Sequence, residues 1–127
     1  MNSSKKRVCI LYRTNSILPA DEPEMNRQRT VCLSFARQKG WLPIREFWEK
    51  VDDETGPAKN DDALVELRAG AEQGRFDILL VSEFARIGRV PLECSFAAAF
   101  FERSGVEVWD TVTGHIGLYG KQIIPDL

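Results

Sequence analysis

Arginines and a serine stand where predicted strands end, and these residue types can do phosphate chemistry. The segment LYRTNS, Leu11 to Ser16, closes an apolar run with Arg13 and then offers the hydroxyl of Ser16. A second segment, SEFARIGR, places Arg86 and Arg89 after another apolar run. Guanidinium groups are planar, permanently charged donors for phosphate oxygens, and a serine hydroxyl becomes a nucleophile when a base removes its proton. The same residues would also suit a solvated strand end.

The overall charge limits how such arginines can act. The 127 residues carry a formal net charge of −2, which argues against a module that holds polyanions by bulk positive charge. Local clustering of arginines stays open, although composition alone favours scattered, solvated charges. The groups that the fold could bring together are Arg7 and Arg13, then Arg27, Arg29 and Arg37, then Arg86 and Arg89.

Neither a metal site nor a disulfide framework is indicated. Three cysteines, Cys9, Cys32 and Cys94, lie in apolar segments without a CxxC or histidine-paired spacing, and we expect reduced core thiols of a cytoplasmic protein. Helix capping explains the acidic run NDD, so we expect no metal and no cofactor. No apolar run approaches the length of a membrane span, and we expect no membrane partner.

Apolar runs and helical spacings alternate along the chain. The pattern predicts strands over RVCILYR (7–13), WLPIREFWE (41–49), FDILLVS (76–82) and VEVWD (106–110). Between them it predicts three helices that stop at Gly40, Gly74 and Gly105. Pro43 pushes the second strand towards an edge position, and Pro91 is typical of the first turn of a helix.

Strands that alternate with helices over such short connections predict an α/β domain of three layers, with a mainly parallel sheet flanked by helices. In such sheets the ligand site lies beyond the carboxyl ends of the strands. That rule selects RTNS after the first strand, DDETG after the second and SEFARIGR after the third. The chain of 127 residues, 43% of them hydrophobic, has the size of one domain.

Together these segments resemble the N-terminal catalytic domain of the serine recombinases, the resolvase and invertase group. In that family the first strand ends in a Y-x-R-x-S-T pattern and a glutamine lies near the start of the first helix. A D-x-x-x-G loop follows the second strand, and an L-[DS]-R-L-x-R motif follows the third. Here RVCILYRTNS, NRQ, DDETG and FARIGR occur in that order, within about residues 7 to 112.

The resemblance implies a resolvase-like fold and a particular chemistry without metal. A serine hydroxyl attacks a DNA phosphodiester and forms a phosphoserine link, while arginines hold the non-bridging oxygens and stabilise the transition state. By position, Arg13, Arg86 and Arg89 match family arginines. Gln28 matches the glutamine, and Asp52 matches the acidic residue of the second loop.

The residue at the nucleophile position depends on the register. An ungapped fit puts Arg13 on the family arginine and Asn15 on the catalytic serine, and an asparagine side chain cannot be the nucleophile. A fit shifted by one residue puts Ser16 on the serine, but Thr14 then replaces the arginine. Because successive strand residues point to opposite faces, Arg13 and Ser16 diverge unless the loop turns between them. We favour the ungapped fit and keep Ser16 as the alternative.

The second loop departs from the family in its charge. Counting forward from Gly56, Asp61 takes the position of a second active-site arginine. At an effective dielectric of roughly 20, this reverses the sign of a contact worth on the order of a few kcal/mol. Lys59 is a candidate to compensate in part at the phosphate. In the third motif, Ala85 replaces the polar residue before the arginine.

We expect the resolvase-like domain to span residues 1–112 and a short tail to follow over 113–127. The family continues into a long dimer helix and a helix-turn-helix domain, whereas TVTGHIGLYGKQIIPDL is short, glycine-punctuated and not amphipathic. His115, the one histidine, has no acidic or nucleophilic partner nearby in sequence. We expect it to be a surface residue and not a catalyst.

These observations predict a serine-recombinase domain for site-specific DNA strand exchange that is impaired for cleavage. Its expected partners are DNA, bound weakly by the isolated chain, and either a second copy of the chain or intact recombinase subunits. A non-enzymatic remnant stays open as the alternative, one that pairs with recombinase subunits or binds an anion in the former phosphate site. A flavodoxin-like domain is disfavoured, because the loop after the first strand lacks a glycine-rich phosphate loop.

Overall fold

The computed structural model describes residues 5–14, 22–50, 62–88 and 91–117. Its strands are β1 (Arg7–Thr14), β2 (Leu42–Lys50), β3 (Ile78–Val81), β4 (Glu107–Asp110) and β5 (Gly114–Ile116). Its helices are α1 (Glu22–Lys39), α2 (Asp62–Glu72) and α3 (Pro91–Arg103), and a 3₁₀ turn covers Phe84–Arg86. The α/β prediction is therefore confirmed.

All five strands form one sheet in the order β2-β1-β3-β4-β5. β1 pairs in parallel with both β2 and β3, and β3 pairs in parallel with β4. Pro43 lies on the edge strand β2, as its missing N–H requires, and the β1–β2 register shifts beside it, between Val8 and Cys9. The parallel strands bring their carboxyl ends to one edge of the sheet.

One strand was not predicted. β5 pairs antiparallel with β4, with Val108 opposite Ile116 and Asp110 opposite Gly114. The three residues of β5 are too few to show a strand period in the sequence, and the strand forms because the turn after β4 returns the chain alongside it. The boundary expected at residue 112 falls inside this turn, and residues 118–127 of the expected tail lie outside the described residues.

The core has two layers because alternate residues of β1 face opposite sides of the sheet. Val8, Ile10 and Tyr12 pack against α1. Cys9 and Leu11 pack in the other layer, to which α2 and α3 contribute most of their buried residues. The three cysteines are free and buried, and burial raises the pKa of the Cys9 thiol to about 11.

An aromatic group lies beside α1 at the sheet surface. Trp41, just before β2, meets Trp109 of β4 edge to face, with 5.0 Å between the ring centroids. Phe35 of α1 touches both rings, and the Lys39 ammonium lies 5.0 Å from the Trp109 ring centroid. These contacts join the end of α1 to β4, on the face of the sheet against which α1 packs. None of the helices in the described part of the chain is long and apolar enough to cross a membrane.

Candidate active site at the carboxyl ends of the strands

Residues from three separate segments meet beyond the carboxyl ends of β1 and β3. Arg13 lies near the end of β1, and Arg86 ends the 3₁₀ turn that follows β3. The Arg86 Nη1 donates to the main-chain oxygen of Arg13 at 3.4 Å. Two residues in the first turns of α1 reach this point, since Glu24 accepts from Arg86 and Gln28 donates to the Arg13 main-chain oxygen. Neighbouring parallel strands thus bring together two motifs that are 73 residues apart in the chain.

Gln28 of α1 ties its helix to the end of β1. Its Oε1 accepts the Arg13 N–H at 3.0 Å, and its Nε2 donates to the Arg13 main-chain oxygen at 2.9 Å. β1 is paired with β3 only over Val8, Cys9 and Ile10, so on that side the peptide groups of Arg13 lie beyond the β1–β3 ladder. The buried amide of Gln28 takes the place of a strand partner there.

The Arg13 side chain is buried against the edge strand. It is 2% exposed, and its Nη1 lies 3.1 Å from Oε1 of Glu49, which is 7% exposed. The two residues are cross-strand neighbours in the β1–β2 register. The Nε and Nη2 atoms of Arg13 have no hydrogen-bond partner among the described residues. The sequence suggested a guanidinium open to phosphate, whereas the structure gives Arg13 a buried carboxylate partner.

Glu24, in the first turn of α1, accepts hydrogen bonds from several donors at the carboxyl ends of β1 and β3. Its Oε2 accepts from Arg86 Nη2 at 3.0 Å, from Gln28 Nε2 at 3.1 Å and from Arg27 Nη2 at 3.0 Å. Its Oε1 accepts from Arg27 Nε at 3.0 Å. The hydrogen bonds from Arg27 are the main cause that lowers the pKa of Glu24 to about 2. Sequence reasoning missed Glu24, although its spacing of three and four residues from Arg27 and Gln28 predicts contacts on a helix.

The third motif is held between α3 and β4. Ile87 is fully buried in the core, and a Cβ on Gly88 would lie 2.9 Å from the Cβ of Glu93. Asp110, at the end of β4, accepts the Phe84 N–H at 2.9 Å and so fixes the start of the 3₁₀ turn. Its other oxygen accepts the N–H groups of residues 112 and 113. Asp110 is a second residue that sequence reasoning missed.

Several predicted site residues lie outside the described residues, namely Asn15, Ser16, Asp52, Lys59 and Arg89, together with Asp61. His115 lies on β5, the edge strand two places from β3 and three from β1 in the sheet. Its ring stacks on Trp109, and its Nε2 lies 2.9 Å from Glu102 Oε2, a partner distant in sequence. Among the described residues, no three His, Cys, Asp or Glu side chains gather as a metal site.

Comparison with known proteins relates this chain to one family. Residues 10–118 match the family model described as Resolvase, N terminal domain. The C-terminal catalytic domain of ISC1926 TnpA, an IS607-like serine recombinase, is 19% identical, with a TM-score of 0.67 over 91% of this chain and 72% of that one. The N-terminal catalytic domain of TP901-1 integrase is 18% identical, with a TM-score of 0.66 over 84% and 77%.

A resolvase family site-specific recombinase from Streptococcus pneumoniae has a similar fold. It is 14% identical, with a TM-score of 0.69 over 87% of this chain and 74% of that one. No curated protein sequence matches significantly. The family model spans most of the chain, from Ile10 within β1 through Gln28 and the third motif. This chain therefore belongs to the resolvase family of serine recombinases.

Proposed function

We propose that this chain is a recombinase-type domain that contacts the phosphate backbone of DNA but does not cleave it. The observation that carries the proposal is the meeting of Arg13 and Arg86 at one edge of the sheet, with asparagine two residues after Arg13. Arg86 supplies the contact to phosphate, Arg13 positions it, and the asparagine removes the nucleophile. The proposed DNA partner and the absence of cleavage are both open to test.

Within this proposal the two described arginines have different roles. Arg86 is the residue that contacts phosphate, because its side chain is 26% exposed and its Nε has no partner among the described residues. Arg13 is a positioning residue, since its main-chain oxygen accepts from Arg86 while its guanidinium is buried with Glu49. Gln28 holds the peptide of Arg13 in place. By family resemblance, Arg89, Asp52 and Lys59 complete the surroundings of the phosphate.

The placement of Arg13 supports the ungapped register. Arg13 reaches the same edge as Arg86, as the family arginine must, whereas Thr14 lacks the guanidinium that the shifted register would need at this point. In the ungapped register Asn15 stands at the nucleophile position. An amide nitrogen has no basic lone pair and forms no phosphoester, so no covalent intermediate results.

The charge at position 61 adds a second obstacle. Asp61 stands where the family has an arginine, so it repels a phosphate instead of binding it. Groups that act together in catalysis do not contribute additively, and loss of the nucleophile alone removes most of the rate. Repair therefore requires both positions. The double substitution Asn15→Ser with Asp61→Arg is the minimal change.

A labelled-oligonucleotide adduct assay on denaturing gels tests this proposal. We expect no covalent protein–DNA adduct from the unmodified chain or from N15S alone, and a detectable adduct only from N15S/D61R. The matched control is N26S/D61R, which makes the same two changes in residue type but puts the serine on the exposed face of α1. An adduct from the unmodified chain that Ser16→Ala abolishes would make Ser16 the nucleophile and overturn the register.

A second candidate function is a non-enzymatic module that pairs with recombinase subunits. Leu92 and Phe96 favour it, because they are 64% and 68% exposed and lie one turn apart on α3. Such a module would bind intact subunits equally well after Arg86→Ala. The DNA-contacting domain would lose its phosphate contact with the same substitution.

A further inference from the structure

The Glu24 carboxylate is surrounded as a bound anion would be. Among the described residues it accepts four hydrogen bonds, of which Arg27 and Arg86 contribute three and Gln28 the fourth. Each of the two guanidinium groups keeps a hydrogen bond or ion pair to another group. Arg86 donates to the main-chain oxygen of Arg13, and Arg27 lies 3.7 Å from Glu83. The cluster thus has the form of an anion site that already contains an anion.

The charges of the cluster cancel when it is taken to include the partners of its arginines, with Arg13 and its partner Glu49. Its three guanidinium groups belong to Arg13, Arg27 and Arg86. Its three carboxylates belong to Glu24, Glu49 and Glu83. A phosphate that approaches the described residues therefore meets no net positive charge, even though the guanidinium groups lie at the expected edge of the sheet.

We propose that Glu24 occupies the anion position of this site from within the chain, and that a DNA phosphate binds there with Arg27 and Arg86 as its ligands once Glu24 has swung out. The inference rests on the proposed phosphate-contacting function and adds two elements to it. Glu24 is an internal competitor for the phosphate. Arg27, on α1, is a ligand that matches none of the family arginines.

Phosphodiester is the ligand class that fits the donors. A phosphodiester carries one negative charge and two non-bridging oxygens, so it can accept the same charge-assisted hydrogen bonds as the two oxygens of Glu24. Arg86 has one further buried donor, its Nε, that Glu24 leaves without a partner among the described residues. A phosphodiester is larger than a carboxylate and has two ester oxygens besides its two non-bridging ones. One of its oxygens can therefore accept from the Nε of Arg86.

Release of Glu24 leaves the framework of the site intact. Glu24 is 30% exposed at the start of α1, so rotation of its side chain carries the carboxylate to solvent. Gln28 keeps both bonds to the main chain of Arg13 when Glu24 leaves. Arg86 likewise keeps its bond to the Arg13 oxygen. The donors consequently stay in position for an incoming phosphate.

The test measures binding of dimethyl phosphate, the smallest phosphodiester, by NMR titration of the arginine side-chain resonances. We expect Glu24→Gln to bind about tenfold more tightly than the unmodified chain, as loss of one charged competitor implies. Glu66→Gln is the matched control, because it removes one charge from an exposed pair with Arg45 that lies outside the cluster. Its affinity should stay within about twofold, since an exposed and screened charge acts weakly at a distance.

Further variants separate the effect of the position of the Glu24 carboxylate on phosphate affinity from the effect of its charge. Glu24→Asp keeps the charge but withdraws the carboxylate by one methylene, and it should also bind more tightly than the unmodified chain. The gain should vanish in E24Q/R27A and in E24Q/R86A but persist in E24Q/R45A. Equal affinities of E24Q and E66Q, or a gain that survives loss of Arg27 and Arg86, would overturn the inference. These titrations involve no cleavage, so an adduct in the oligonucleotide assay would refute the proposed function and leave this result standing.

Discussion

At the scale of single residues, the Arg13–Glu49 pair connects stability with the site. Both side chains are more than nine-tenths buried, so each charge depends on the other for solvation. The pair fixes Arg13, and the Arg13 peptide in turn positions Gln28 and Arg86. Through this pair Arg13 holds the edge strand β2 to the centre of the sheet.

Removal of one member of the Arg13–Glu49 pair should therefore destabilise the fold. We expect Glu49→Gln to lower the free energy of unfolding by about 3 kcal/mol, because it leaves a buried guanidinium without a counter-charge. Glu66→Gln, which breaks the exposed pair with Arg45, should change it by less than about 1 kcal/mol. Urea denaturation of both variants measures the difference. Similar losses of unfolding free energy in the two variants would mean that the buried Arg13–Glu49 pair contributes no more to stability than the exposed pair.

The sequence identified some site residues and concealed others for a physical reason. The meeting of Arg13 and Arg86 was predictable, because they end or follow apolar runs whose carboxyl ends a parallel sheet brings together. Gln28 was predictable only through its match to the family glutamine. Glu24 and Asp110 were not, since an acid in a first helical turn or at a strand end is common in solvated positions. Their roles depend on donors that arrive from distant segments.

At the scale of elements, the turn after β3 depends on close contact with α3. Gly88 lies where a Cβ would approach the Cβ of Glu93 to 2.9 Å and the main-chain nitrogen of Cys94 to 3.2 Å. Neither is the far end of a flexible side chain, so neither can move aside cheaply. Glycine in the RIGR motif thus lets the loop that carries Arg86 pass against the first turn of α3.

We expect Gly88→Ala to lower the free energy of unfolding by about 1–3 kcal/mol, as overpacking does in close-packed interiors. Gly117→Ala is the control, because a Cβ there meets nothing within 4 Å. Thermal and urea unfolding of both variants check this. A neutral Gly88→Ala would show that the loop can shift away from α3 without loss.

Most strands and helices were predictable from the residue pattern of their own segment, whereas the two shortest elements were not. The continuous apolar run of β1 and the alternation of strands with helices fixed the α/β class, and Pro43 indicated the edge strand. β5 and the 3₁₀ turn were missed, because each has only three residues and forms through contacts with other segments. β5 pairs with β4, and Asp110 anchors the turn. Short elements defined by tertiary contacts carry little periodic signal.

At the scale of the whole molecule, weak binding to DNA is expected. The net charge is −2, and the guanidinium groups of the site are matched by carboxylates. We expect a dissociation constant for duplex DNA of roughly 10⁻⁴ M or weaker at physiological salt, without sequence preference. Fluorescence anisotropy across a salt series measures both the affinity and the number of phosphates neutralised. Submicromolar binding would reveal a basic surface outside the described residues.

The aromatic contact between Trp41 and Trp109 has an optical consequence. Two indoles 5.0 Å apart and nearly perpendicular share their excited states and give a coupled circular dichroism signal. Trp41 lies between the end of α1 and the start of β2 and Trp109 belongs to β4, so the signal exists only while this junction is packed on the sheet. Trp48 lies elsewhere and is 49% exposed, which gives the chain a separate emission that responds to solvent. Circular dichroism and fluorescence of the native tryptophans can thus follow packing of the α1–β2 junction on the sheet and solvent exposure of the edge strand separately, without any added label.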